Sequence, residues 1–534
     1  MTFPPSAQRA PQPPSPPTIG PPTMVPPPAA PRRRRRRLII VLVAIPLAVL
    51  ALLVAAGGIW FATNAVRKAP PAAGTIDFHA PLAVPPLAPS RVENGVRIFE
   101  LTAQEGRTSF VAQGDTPTLG YDGTYLGPTL VAERGEQVRV DVTNGLADPT
   151  TVHWHGMHLP AAMDGGPSSP IAAGGTWQPE WTIDQPASTL WYHPHLHGRT
   201  REQVDAGLAG MFLVQDDEES ALALPREYGV DDLPVIVQDR SFNSDGSFAG
   251  GLGMQFDGVL GDTILVNGTV APYLDVSTER VRLRLLNGSS ARMYDFAFAD
   301  GREFALVGTD GGLLEAPVMA TDIPLSPGER AEIVVSVKPG ERTVLRSLAP
   351  DPALNAGSAA FDVMELRAAA PLATSPEVPS RLADVPAADA SGAAAERDFV
   401  MSGHNINDRQ MDLGRVDVVA TVDTSEVWTV RNANPLPHSF HVHDTQFRIL
   451  SVDGAPPPAR LAGYKDTIAL ERDREYRLLV RFDDYADPTT PYMYHCHLLW
   501  HEDQGMMGQF LVVEPGQQPD LKRPEGDTDD RHDH

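Results

Sequence analysis

Three times along this 534-residue chain an alternating apolar run closes on an asparagine, and a second run follows at a fixed offset. Val138, Val140 and Val142 lead to Asn144, with His153 and His155 nine and eleven residues later. Trp428 and Val430 lead to Asn432, with His441 and His443 at the same offsets. Val281, Leu283 and Leu285 lead to Asn287, but there the matching positions are Phe296 and Phe298. Period-two alternation, a turn at asparagine and a further run make a strand–turn–strand signature. A second correspondence joins only the outer copies. Tyr192-His193-Pro194-His195 is echoed by Tyr494-His495-Cys496-His497, and Gly210–Val214 by Gly508–Val512. The expectation is an all-β chain of three β-sandwich domains at 91–220, 228–370 and 398–516, with an Ala/Pro-rich linker at 371–397.

The outer copies concentrate chemistry that the middle copy lacks. Ten of the sixteen histidines fall into four clusters: His153/His155, His193/His195, His438/His441/His443 and His495/His497/His501. A His-x-His pair on a strand puts both imidazoles on one face, so two pairs from each outer domain can converge across a seam. Cys496 is the only cysteine, so it has no intramolecular disulfide partner. With His501 and Met506 it offers the thiolate, imidazole and thioether of a blue-copper site, which needs one further imidazole. On an extended strand His495 and His497 would point away from Cys496, towards other metals. One His-x-His is weak evidence, since histidines often sit satisfied in cores; four clusters in mirrored positions beside this cysteine are strong.

On these motifs the chain resembles the three-domain multicopper oxidases over about 110–513, nearest the bacterial laccase, cuprous oxidase and bilirubin oxidase branches. The resemblance implies cupredoxin-like Greek-key sandwiches and four coppers per chain. It implies a type 1 copper on His438, Cys496 and His501 with Met506 axial, and a type 2 copper on His153 and His441. The type 3 pair would take His155, His193, His195, His443, His495 and His497. The implied reaction is one-electron oxidation of a donor at the type 1 site, coupled to four-electron reduction of dioxygen to two waters at the three-copper cluster. Asp164 and Glu502 match positions that the cuprous oxidase branch uses for proton delivery; the plainer reading is that they orient ligand histidines. His158 and His197 have no matching role and read as neighbouring or surface groups. Met507 reads as packing, and Trp154 and Trp500 as walls that exclude water. A complete ligand set argues against the copper-free members that serve as cell-division scaffolds.

The donor is less constrained. Dedicated cuprous oxidases carry a Met-rich insertion and an Asp-x-Met ahead of the first type 1 histidine, whereas Asn434-Pro435-Leu436-Pro437 precedes His438 here. Phenols and aromatic amines are therefore the expected donors, with Cu(I) oxidation in copper tolerance as the alternative. Two readings from other classes are a non-catalytic copper-binding envelope protein and a copper nitrite reductase. The second would not need histidines on both sides of Cys496.

The first 68 residues carry nine basic residues and no acidic one, and thirteen of the first 31 are proline. Residues 1–37 read as a disordered Pro/Arg-rich cytoplasmic tail. Residues 38–62 carry no charge over a length that spans a bilayer, with six arginines ahead of them, which predicts a transmembrane signal anchor with the remaining chain outside the cytoplasm. A cleaved signal peptide, with a twin-arginine signal in the arginine run, is the competing reading. Residues 63–90 read as a tether and 517–534 as an acidic tail. Beyond residue 68 the chain carries 34 basic against 68 acidic residues, which excludes a nucleic-acid partner.

Overall fold

The computed structural model describes residues 71–249, 258–351, 360–435 and 437–521. The expected tail at 1–37, the anchor at 38–62 and most of the acidic tail lie outside them. Among the described residues no helix is long and apolar enough to cross a membrane.

Six sheets organise the described chain, two for each of three stretches of sequence. In the first stretch Val138, Val140 and Val142 turn one face of strand Gln137–Asn144 inward. They meet Leu190, Tyr192 and Phe212 of the facing sheet in one core, as alternation requires. The second stretch pairs a six-stranded with a seven-stranded sheet, and Phe296 and Phe298 lie in the core between them. The third packs two five-stranded sheets around Trp428, Val430, Phe440 and Cys496.

The recurring asparagine has one job in all three. Asn144 donates its side-chain amide to the carbonyls of Asp148 and Ile171, and Asn287 does so to Arg292 and Leu325. Asn432 donates to Leu470. Each also accepts from a backbone N–H two residues on, in Leu146, Ser289 and Asn434, so a buried amide ties off the strand end.

The second correspondence also has a physical cause. Tyr192 lies opposite Gly210 and Tyr494 opposite Gly508 in antiparallel pairs. In both, the tyrosine ring covers the glycine, and a Cβ there would run into it.

Two features depart from what strand pattern and composition alone announce. Strand Arg280–Asn287 alternates in sequence, yet both its faces are buried. Arg282 and Arg284 point away from the core into a closed ion network with Glu219, Asp232 and Glu332. A charged residue reads as solvent-facing in the sequence, but here its partners arrive from elsewhere in the chain and pay its desolvation. The second departure concerns the segment read as a tether. Ala80–Pro81 adds a parallel strand beside Pro272–Thr278, and Leu82 and Val84 pack on the second core. Its Pro/Ala composition favours extended chain, which suits a sheet edge as well as a linker.

Candidate metal centre

The outer sandwiches present their histidines on equivalent neighbouring strands. His153 lies opposite His193 in the first, and His441 opposite His495 in the third. Because side chains alternate, Cys496 turns into the third core while His495 turns out to the seam. There His195 Nε2 stands 3.1 Å and His443 Nε2 3.2 Å from His495 Nε2. His153 stacks on His443 and His155 on His441, each with ring centroids 3.7 Å apart.

Ligand atoms within 4.8 Å of one another form His155/His193/His497, His195/His443/His495 and His153/His155/His441, all buried. His438, Cys496 and His501 form a separate buried group, with Cys496 Sγ 3.5 Å from His438 Nδ1 and 3.4 Å from His501 Nδ1. Met506 is buried in the same core, and its carbonyl accepts from the Cys496 N–H.

The residues present fit metal ions. A neutral imidazole has one N–H, so a hydrogen bond at one nitrogen decides what the other can do. His443 Nδ1 lies 2.8 Å from Asp164 Oδ2, and His441 Nδ1 2.9 Å from the Asp466 carbonyl. His193 Nδ1 lies 2.8 Å from the Pro194 carbonyl and His153 Nδ1 3.1 Å from that of Asp164. Nε2 of His153, His193 and His441, Nδ1 of His155 and both ring nitrogens of His497 are left buried with no hydrogen bond to protein. Burial, reinforced by neighbouring imidazoles, pushes His155, His193, His195, His443, His495 and His497 well below the usual histidine range. Bare, neutral nitrogens converging in a closed space are what a metal requires. Burial likewise pushes the Cys496 thiol up to about 12, so a thiolate there needs a cation beside it.

The two acids occupy different places. Asp164 bridges imidazoles of both outer domains, with Oδ1 3.2 Å from His153 Nδ1 and Oδ2 bonded to His443. Glu502 is fully buried, with its two oxygens each 3.4 Å from Nδ1 of His195 and of His495. Burial, aided by Asp503, pushes the Glu502 carboxyl well above the usual range.

His158 is not among the converging groups. Its ring lies 2.8 Å from Asp444 and 3.3 Å from Asp484, joining the first and third domains. Met507 is buried strand packing, and Trp154 belongs to the first core. Three residues next to the centre carry no motif: Asp466 against His155 and His441, Asn434 Nδ2 at 3.1 Å from His438 Nε2, and His404 beside the His501 ring. Asp466 reaches His155, and His404 reaches His501, across strands and loops with no local spacing to announce them, whereas Asn434 lies only four residues before His438.

Paired β-sheets that hold one buried Cys/His/His group and a histidine seam between outer copies define a copper protein of the cupredoxin type. The multicopper oxidase family signature matches residues 102–219 and again 378–516. The multicopper oxidase of Staphylococcus haemolyticus is 35% identical over 436 residues, covering 80% of this chain and 92% of that protein. The cell division protein FtsP of Salmonella typhimurium is 36% identical over 473 residues, covering 86% and 97%. Among solved structures, the laccase-like multicopper oxidase CueO of Ochrobactrum sp. superposes with a TM-score of 0.75 at 37% identity, covering 81% of this chain and all of that one. The chain belongs to the three-domain multicopper oxidase family.

Proposed function

We propose that this protein is a laccase-like, copper-dependent oxidoreductase that oxidises small organic donors one electron at a time and reduces dioxygen to two waters. The observation that carries this reading is the set of buried imidazole nitrogens without protein partners, converging from both outer domains beside the Cys496 group. A cell-division scaffold such as the FtsP relatives would need none of them. Copper, when bound, supplies single-electron transfer at the cysteine group and multi-electron transfer to oxygen at the histidine seam.

The ligand assignment proposed is His438, Cys496, His501 and Met506 for type 1, and His153 and His441 for type 2. His155, His193 and His497 would hold one type 3 ion, and His195, His443 and His495 the other, giving four coppers per chain. Cys496 is bonded through the backbone to His495 and His497, a short covalent route between the two centres. Asp164 holds the imidazoles of His153 and His443, and Glu502 supplies protons beside His195 and His495. Phenols and aromatic amines are the proposed donors; the Ochrobactrum relative is described as having oxidase activity towards lignin model compounds. We further propose the domain division 91–220, 228–370 and 398–516, with residues 38–62 anchoring the catalytic domains outside the cytoplasm.

Copper-loaded protein in an oxygen electrode tests the function. Oxygen uptake with a phenol is expected, without any need for nitrite. Copper binding with no oxygen uptake for a phenol, bilirubin or Cu(I) would instead make it a copper-sequestering protein. Release of the protein from cells without detergent, with a mature terminus near residue 66, would replace the anchor by a cleaved signal.

A further inference from the structure

The middle domain contributes no histidine to the seam, yet one of its turns is pressed against it. Gly328 comes so close to the rings of His155 and His497 that a Cβ there would stand 3.0 Å from His497 and 3.1 Å from His155. The turn is pinned to the third domain by Ser439 Oγ, which lies 2.8 Å from Ser326 Oγ and donates to the Pro327 carbonyl. Two residues beyond Gly328, Arg330 is fully buried and every nitrogen of its guanidinium is engaged. Nε donates to the Thr189 carbonyl of the first domain, and Nη1 and Nη2 donate to the carbonyls of Gly328 and Asp310 in the second. The same two nitrogens grip both oxygens of Asp466 in the third, at 2.7 and 2.6 Å.

Asp466 is thereby held with Oδ1 3.0 Å from His155 Nε2. A carboxylate only accepts, so Nε2 must carry the proton and Nδ1 must face the seam. The other seam histidines with a bonded nitrogen are held mostly through Nδ1; His155 is held through Nε2 and bares Nδ1. Thr467 Oγ1 completes the clamp by donating to Asp466 and standing 3.1 Å from both His155 Nε2 and His441 Nδ1.

We propose that Arg330 of the metal-free middle domain is a positioning residue for the copper centre: by fixing Asp466 it dictates which nitrogen of His155 is offered to the group formed with His193 and His497. This rests on the reading of that group as a copper site. Lysine cannot replace the fork, since a point charge cannot span both carboxylate oxygens and three carbonyls at once.

The test compares copper-loaded full-length parent, Arg330→Lys, Arg330→Met and Arg282→Lys during dialysis against EDTA. Copper per chain is counted by atomic absorption, and type 1 occupancy by the blue band. Arg282 is the control, a buried arginine of the same domain paired with Glu219 and Glu332 and touching no seam histidine. In both Arg330 variants the histidine-seam copper should be retained about 10–100-fold more weakly, with the blue band unchanged, as expected for loss of a group that orients a ligand. Arg282→Lys should lower thermal stability without that selective loss. Should Arg330→Met fail to accumulate, Arg330→Lys, which keeps the buried charge, carries the test alone. Parent-like retention in Arg330→Lys, or equal copper loss in Arg330→Lys and Arg282→Lys, overturns the inference. A parent that binds no copper would overturn the proposed function instead.

Discussion

His153 and His443 stack face to face across the domain seam, and Asp164 lies against Nδ1 of both. One residue thus orients one imidazole from each outer domain, His443 through its carboxylate and His153 through its backbone carbonyl. Asp164→Asn keeps the shape and the carbonyl contact to His153 but loses the charge-assisted bond to His443. It should weaken copper retention at the seam about 10–100-fold while leaving the blue colour, so copper counts rather than turnover are the first measurement.

Cys496→Ser removes the thiolate of the type 1 group. The variant should be colourless and without steady-state turnover, while its circular dichroism matches the parent, because serine fills nearly the same space. A variant that stays blue would overturn the assignment.

Glu502→Gln should keep copper and colour and accept electrons from a phenol at a near-parent rate. Reoxidation by oxygen should slow by about 10²–10⁴-fold, because an amide beside His195 and His495 cannot cycle a proton. Stopped-flow mixing of the reduced variant with oxygen measures this directly. Parent-like reoxidation would reduce Glu502 to a residue that merely holds its neighbours.

Burial depresses His158, but Asp444 and Asp484 outweigh it and raise His158 to about 9. A raised folded value means that the pair stabilises fully below the unfolded value of about 6.5 and that this stability is lost as the pH climbs through about 9. Melting temperature at fixed copper loading should therefore fall across that window. His158→Gln should lower stability by on the order of 1–3 kcal/mol at pH 6 and flatten the profile, since Asp444 loses its buried partner.

Gly508→Ala places a methyl group against the Tyr494 ring. Overpacking of this kind costs about 1–3 kcal/mol, read as a lower denaturant midpoint, and Gly210→Ala should match it in the first domain.

Much of this molecule was legible in the sequence because its signals are local. Period-two runs, a strand-ending asparagine and His-x-His pairs are set by strand geometry, so His153, His193, His441 and His495 fall where the pattern puts them. Asp466 and Arg330 were not legible. Asp466 reaches His155 across 311 residues and Arg330 across 136, and neither spacing has a local signature. The ion network at Arg282 and Arg284 was not legible for the same reason: alternation reveals two faces, but not what covers the second.

The strand Ala80–Pro81 changes how the chain is partitioned. It belongs to the second sandwich by pairing, with Leu82 N–H donating to the Tyr273 carbonyl, although the whole first sandwich intervenes in sequence. The first domain is in this sense an insertion within the second, with its two ends returned to one host. A chain trimmed past Pro81 would leave the Pro272–Thr278 edge of the host sheet unpaired and open to strands from other copies.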